Sequence, residues 1–423
     1  MQKDTIKKII IEGQERITGL SVIKRDFKID PAANYIFTGQ RRAGKTYFLY
    51  QLIQERLKSN TPVGEILYIN FEDERLLELN YSNLDLIIES FKELHQDNPV
   101  IFFDEIQNIA GWQKFARRLT DSGYQVFVTG SNAQMLSSEM ASTLGGRYMI
   151  KEITTLSFPE FLVFNNVELK KNYEHSQQRF YVKKLLEDYF YFGGFPETLK
   201  YSDKKEYLSN LFQKVFLGDI IARHKVRNVF ALKLMLKKLA ESTMGETSFN
   251  RLKNIINSTG INVGTATLIE YMQYLEESYM IKGISNYHSK ITERETKKKY
   301  YFRDNGLLNL FLTIGESHLL ETLVFHKLWS VYPDEVYYFR DTYEVDFYIP
   351  GKMLVQACYS AKDFETRKRE IAALNKAALS LDITQSYIIT YDDAEETING
   401  EHVSIRIMPL WKWLLANDDL NGE

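Results

Sequence analysis

The sequence predicts an α/β protein whose first domain is a parallel sheet flanked by helices, and three stretches carry that prediction. Short apolar runs end at Thr38, at Asp104 and at Thr129. Each stops in polar residues, and the first continues into a helical pattern from Tyr47 to Leu57. Strands buried on both faces read as uninterrupted apolar runs, and strands alternating with helices build parallel sheets.

Taken in order, Thr5 to Lys24 reads as a helix with Ile6, Ile9, Ile10, Ile17 and Leu20 available for one face. Tyr35 to Thr38 is the first strand. Gly39, Gln40, Arg41, Arg42, Ala43, Gly44, Lys45 and Thr46 then fit G-x-x-x-x-G-K-[ST] at every fixed position. The glycines let the backbone bend so that successive N–H groups face phosphate oxygens, and the helix behind adds its positive end. Lys45 reaches the outer phosphates, and the Thr46 hydroxyl suits Mg²⁺. ATP with Mg²⁺ is the ligand this loop predicts.

Val63 to Phe71 is the second strand, followed by Glu72-Asp73-Glu74-Arg75. Leu84 to Leu94 is a helix that Asn98-Pro99 breaks. Val100 to Glu105 is the next strand, with an acidic pair at the carboxyl end where open α/β sheets bind ligands. Asp104 is the Mg²⁺ ligand, directly or through water, and Glu105 the general base that polarises the attacking water. Gln125 to Asn132 is a further strand ending in small polar residues. Ser131 or Asn132 there faces the terminal phosphate or the water, or Ser131 caps the following helix. Arg147, after Gly145-Gly146, is a phosphate-sensing arginine acting in cis or from a neighbouring subunit, or a surface arginine beside a turn.

Gly-Gln-Arg-Arg-Ala-Gly-Lys-Thr, Tyr-Ile-Asn-Phe-Glu-Asp-Glu-Arg, Phe-Phe-Asp-Glu-Ile-Gln, Thr-Gly-Ser-Asn, Gly-Gly-Arg and Leu-Ser-Phe-Pro-Glu-Phe occur in that order. Together they resemble the prokaryotic AAA+ ATPases with an uncharacterised C-terminal domain, from about the P-loop to Arg369. The resemblance implies ATP hydrolysis and makes Ser131 or Asn132 the sensor 1 residue. It also implies that Pro196, in Gly193-Gly194-Phe195-Pro196, touches the adenine ring; a plain inter-helix turn is the other reading of those residues.

Four domains are expected: a P-loop core over 1–158, a helical lid over 159–227, a winged-helix unit over 228–304 and a last α/β domain over 305–423. The winged helix is read from helices at Phe230–Ser242, Ser248–Ser258 and Thr265–Ser278, with a strand beginning at Tyr279. Glu270, Glu276 and Glu277 on its third helix would repel phosphates. Lys290 and Lys297-Lys298-Lys299 in the wing are the candidate DNA contacts, and protein docking is the alternative. In the last domain a helix at Leu319 is followed by strands at Val336–Arg340, Glu344–Ile349 and Met353–Tyr359, a helix over Glu365–Leu379 and a final strand at Gln385–Thr390. That order resembles the restriction-endonuclease-like fold, with Glu321 and Asp346 as acids. Gln356 replaces its second acid and Cys358 its lysine, so the domain is expected not to cut nucleic acid; Lys362 is the residue able to fold back.

The 423 residues carry 53 Lys and Arg against 56 Asp and Glu, so any nucleic-acid surface has to be a local patch. The one cysteine, Cys358, leaves no disulfide within the chain and fits a reducing compartment. No apolar run is long enough to cross a bilayer and Met1-Gln2-Lys3-Asp4 opens no signal segment, so the cytoplasm is the expected location. The functions expected are a Mg²⁺-dependent ATPase that moves its C-terminal domains, a slow nucleotide-gated switch on DNA or an unidentified protein, or an ATP-gated nuclease. A second copy of the chain is a further candidate partner.

Overall fold

The computed structural model describes residues 3–131, 142–400 and 402–416. It divides into two compact units, Met1–Thr155 with Glu277–Tyr279, and Leu156–Glu276 with Met280–Glu423.

In the first unit, helix α1 (Lys3–Gly19) buries Ile6, Ile9, Ile10 and Ile17 and ends at Gly19, short of the expected Lys24. Strands β1 (Asn34–Thr38), β2 (Ile66–Asn70), β3 (Val100–Asp104), β4 (Val126–Thr129) and β5 (Tyr148–Glu152) form one parallel sheet in the order β2-β3-β4-β1-β5. Helices α2 (Lys45–Lys58), α3 (Asp85–Leu94) and α4 (Trp112–Asp121) connect the strands. β5 was not legible as a strand: it is an edge strand, with Met149 and Ile150 exposed. Alternate residues serve opposite faces of the sheet. Ile36, Ile69, Ile101, Phe103 and Val128 enter one apolar core, and Tyr35, Phe37, Tyr68, Phe102 and Phe127 the other. Register then places the future site. Phe37 pairs with Thr129 and Phe103 with Val128, so the carboxyl ends of β1, β3 and β4 lie side by side.

The second unit opens with α5 (Phe158–Phe164), α6 (Gln178–Phe192) and α7 (Lys204–Lys214), the last running into a π-helical stretch, Val215–Ala222. Helices α8 (Val229–Glu241), α9 (Phe249–Asn257) and α10 (Thr265–Glu277) follow. Ser248 caps α9 by accepting from the Arg251 N–H. Strands β6 (Ile281–Ser285) and β7 (Lys298–Phe302) pair antiparallel, with the short α11 (Ile291–Thr296) between them. After α12 (Asn305–Asn309) and α13 (Glu316–Val331) comes a sheet of β8 (Tyr337–Arg340), β9 (Glu344–Ile349), β10 (Met353–Ala357), β11 (Gln385–Thr390), β12 (Glu396–Asn399) and β13 (Ser404–Pro409). Its order is β12-β13-β11-β10-β9-β8. Helix α14 (Phe364–Leu381) separates β10 from β11, and α15 (Leu410–Leu415) follows β13. The expected final strand, β11, is thus followed by two more. One continuous apolar core runs from Leu156 and Phe158 through Leu236, Leu268 and Met272 to Leu320, Phe347, Val355 and Trp413. The segments expected as lid, winged helix and last domain therefore share a core.

The wing lysines differ from expectation. Lys297 is exposed and pairs with Glu293, but Lys299 is 0% exposed and points inward. Its Nζ lies 2.7 Å from Glu344 Oε1, 3.6 Å from Asp346 Oδ1 and 3.9 Å from Glu321 Oε1. It offers nothing to DNA, because it is buried and its charge faces these acids. Tyr301 donates to Glu321 Oε1 at 2.7 Å. Burial, and then the neighbouring Asp346 charge, pushes the Glu321 carboxyl well above its ordinary value. A carboxyl raised in the fold holds a proton that the unfolded chain releases, so its contribution to stability is lost as pH rises from its unfolded value, 4.5, through the raised one. Glu321→Gln keeps an oxygen for Tyr301 and removes that loss. Thermal melts should show little difference from wild type at about pH 5 and a more stable variant at about pH 9. A variant less stable at alkaline pH would show that the ionised form is the one stabilised.

Candidate functional site

The loop between β1 and α2 begins with a backbone only glycine adopts without strain. Gly39 has φ +139°, and a Cβ there would stand 2.1 Å from the Ile153 carbonyl oxygen. Gly44 closes the loop with φ 100°, and Arg42 between them is also left-handed at φ 65°. Lys45 is the first residue of α2 and is buried. Its Nζ donates to the carbonyls of Gly39 and Gln40, each at 3.1 Å, and lies 3.7 Å from Glu105 Oε1. Arg41 leaves the loop to pair with Glu72 at 2.9 Å. Gln40 and Ala43 are buried. Behind the loop, buried Arg25 donates to the Ala43 carbonyl at 3.0 Å and to that of Thr154 at 2.9 Å, tying the loop to the chain beyond β5.

The acidic pair meets the loop as the strand register dictates. Asp104 is fully buried and accepts from three hydroxyls: Thr46 at 2.8 Å, Tyr68 at 3.0 Å and Thr129 at 2.5 Å. Burial, and then the charge of Glu105, pushes its carboxyl up to about 6. Thr46 and Asp104 thus present adjoining hard oxygens in a negative, dry place, the donor chemistry Mg²⁺ selects. Glu105 has φ 54°, and its N–H donates to Thr129 Oγ1 at 2.9 Å. That turn swings its side chain away from Asp104 to accept from Gln107 at 2.5 Å. Burial raises the Glu105 carboxyl, but the Lys45 charge and the Gln107 hydrogen bond outweigh it, so the net shift is downward. The site therefore holds one carboxylate easily kept ionised beside one that resists it.

The structure brings together Gly39, Gly44, Lys45, Thr46, Asp104 and Glu105. Ser131 joins their edge, accepting from Gln107 at 3.3 Å. Asn132 lies outside the described residues. Arg147 is not brought to the loop. It precedes β5, whose first residue pairs with Asn34 at the start of β1, and the loop leaves the other end of that strand. Its guanidinium pairs with Asp121 and its carbonyl accepts from Asn34. A strand's length separates the two within the chain. Pro196 belongs to the second unit and opens a short 3₁₀ turn, Pro196–Lys200. Sequence reasoning missed Arg25, Tyr68, Gln107 and Thr129. Thr129 carried a signal, a hydroxyl at the end of an apolar strand. Gln107 stands two residues after the Glu105 it contacts, whereas Arg25 and Tyr68 depend on how distant parts of the chain come together.

In the second unit, Gln356 accepts from the Asp346 N–H at 3.0 Å and donates to Glu370 at 2.5 Å. Burial pushes the Cys358 thiol up to about 11, so it stays neutral. Lys362 does not fold back: it is 80% exposed, 3.6 Å from Asp393.

Residues 32–162 match a family described as an AAA domain, and residues 183–318 a domain of unknown function (DUF8612). Over 433 residues the chain is 35% identical to the uncharacterised protein MJ1544 of Methanocaldococcus jannaschii, covering 98% of this chain and 96% of that one. An uncharacterised protein of Haemophilus influenzae is 31% identical over 303 residues, covering 69% of this chain and 73% of the other. Among solved structures, the Walker-type ATPase PABY2304 of Pyrococcus abyssi aligns with a TM-score of 0.42 at 13% identity, over 73% of this chain and 95% of that one. AMPPCP-bound DnaA from Aquifex aeolicus aligns more weakly, at 0.25 and 15% identity, over 64% of this chain and 86% of its own. No helix among the described residues is long and apolar enough to cross a membrane. The chain belongs to the family of these two uncharacterised proteins, and its residues 32–162 form an AAA domain.

Proposed function

We propose that the protein binds ATP at the Gly39–Thr46 loop and hydrolyses it with Mg²⁺. The observation that supports this most directly is the 2.8 Å hydrogen bond from Thr46 to Asp104, which joins the loop to the acidic pair. The backbone N–H groups of Gln40 to Gly44 bind phosphate oxygens. Lys45 leaves the Gly39 and Gln40 carbonyls for the outer phosphates. Thr46 and Asp104 would hold Mg²⁺, which supplies positive charge against those phosphates when bound. Glu105 accepts the proton of the attacking water, and Gln107 and Ser131 position its carboxylate. Pro196 contacts the adenine ring, and hydrolysis moves the second unit, read here as a winged helix joined to a restriction-endonuclease-like fold, against DNA or a protein partner. Lys45→Ala should weaken ATP binding at least about a hundredfold, since a charge-assisted contact to phosphate is lost from a buried site. Nucleotide titration measures this, and wild-type affinity in the variant would refute the assigned site.

Arg147 serves a neighbouring copy of the chain. Turnover per chain should then rise with protein concentration. Mixing Arg147→Ala with Glu105→Gln chains should restore activity, because some composite sites draw both intact residues. Concentration-independent turnover from a monomer would exclude that role.

A further inference from the structure

We propose that Lys299 fills, from within the chain, a place in the second unit that would otherwise take a divalent cation, so that the cleft beside it works without metal and does not cut nucleic acid. Three carboxyl groups converge there. Glu344 and Asp346 lie two residues apart on β9 and so share a face, and Glu321 comes from α13. The Lys299 ammonium stands among them, with β7 supplying it from a different part of the fold. Neighbouring Gln356 and the Ala357 N–H, which donates to Asp346 Oδ2 at 2.9 Å, hold the second acid in place. The group borders a cavity of about 730 Å³ reached by Glu344, Asp346, Gln356, Cys358, Arg369 and Glu370.

Charge and distance decide between lysine and metal. Glu344 and Asp346 as carboxylates against one ammonium leave a surplus of negative charge, beside a Glu321 carboxyl that burial keeps protonated and whose Oε2 has no hydrogen-bond partner. A buried carboxyl such as that of Glu321 is strongly disfavoured as an anion without a cation beside it. Carboxylate oxygens are the donors that Mg²⁺ and Mn²⁺ take. The spacing, however, is that of an ammonium. Its contacts of 2.7 to 3.9 Å exceed the roughly 2.0–2.1 Å of a Mg²⁺–oxygen bond. Among the described residues no three acid, histidine or cysteine side chains are grouped to hold a metal ion. The lysine also cannot drift out: it is 0% exposed and lies over the Tyr338 ring, 5.3 Å from its centre. Metal-assisted phosphodiester cleavage needs a cation against the phosphate and a positioned water. An ammonium fixed by three acids supplies neither.

The test is Mn²⁺ binding to the nucleotide-free full chain, counted by electron paramagnetic resonance, together with nicking of a supercoiled plasmid. Wild type should bind no Mn²⁺ that Asp346→Asn removes, and should leave the plasmid intact with Mg²⁺ or Mn²⁺, with or without ATP. Lys299→Ala should gain one Mn²⁺ per chain, lost again when Asp346→Asn is added. Lys299→Met, which keeps the apolar stem, is the second variant. Mn²⁺ bound by wild type and lost in Asp346→Asn, or nicking abolished by Asp346→Asn, would overturn the proposal. So would folded Lys299→Ala and Lys299→Met that bind no Mn²⁺. If neither variant folds, the wild-type arm still decides.

Discussion

Glu105→Gln should retain ATP and lose turnover by roughly 10²–10⁴-fold, the range a positioned general base contributes. The amide has the shape to keep the Gln107 contact but cannot accept a proton from water. Binding should survive because the loop's grip depends on Gly39, Gly44 and Lys45, whose geometry Glu105 touches only through the 3.7 Å ion pair. Freed from that pair, Lys45 should bind phosphate at least as well as before. Nucleotide titration beside steady-state phosphate release reads both effects. Because the Lys45 charge and Gln107 hold the Glu105 carboxyl below its ordinary value despite burial, wild-type turnover should stay flat across neutral pH and fall only in acid. Wild-type-like turnover in Glu105→Gln would assign the base to another residue.

How much of this was legible follows from which constraints are local. The loop was readable because a left-handed or mirror-β backbone demands glycine, and the motif fixes where those glycines stand. Asp104 and Glu105 were readable because a buried parallel strand is apolar until it reaches the ligand edge. Two of the three hydroxyls around Asp104 were not. Tyr68 and Thr129 reach it from β2 and β4, the two strands beside β3, and sheet order is a property of the whole chain. Arg147 was left open between cis, a neighbouring copy and the surface for the same reason: its nearness in sequence to Gly145-Gly146 says nothing about which end of β5 it occupies. Lys299 was misread because three consecutive lysines normally mark a solvated face. Its neighbours Tyr300, Tyr301 and Phe302 held the contrary signal, a strand buried at almost every position. Strand β13 alternates Ile405, Arg406 and Ile407 in a way that could have announced it, while β12 is a polar edge with little pattern of its own.

Gly39→Ala should unfold the nucleotide site. The added Cβ would lie 2.1 Å from the Ile153 carbonyl oxygen, and backbone cannot yield as a flexible side chain does. Nor can Ile153 retreat easily. Its N–H donates to the Thr38 carbonyl at 2.7 Å, its side chain is buried in the sheet's core, and Arg25 anchors the next carbonyl, that of Thr154, at 2.9 Å. The φ of +139° adds strain of about 1–3 kcal/mol for any residue with a Cβ. With the clash the total is roughly 3–5 kcal/mol, or about 10 °C in melting temperature for a unit of this size. ATP binding should be lost with it, because the first turn of the phosphate cradle begins at this residue. Gly123→Ala is the control. Its φ of +84° carries strain, but no atom lies within 4 Å of the added Cβ, so it should cost about 1 kcal/mol and leave binding intact. Thermal melts and nucleotide titration of the two variants side by side separate strain from collision. A Gly39→Ala protein as stable as Gly123→Ala, and still binding ATP, would mean that β5 can move away from the loop.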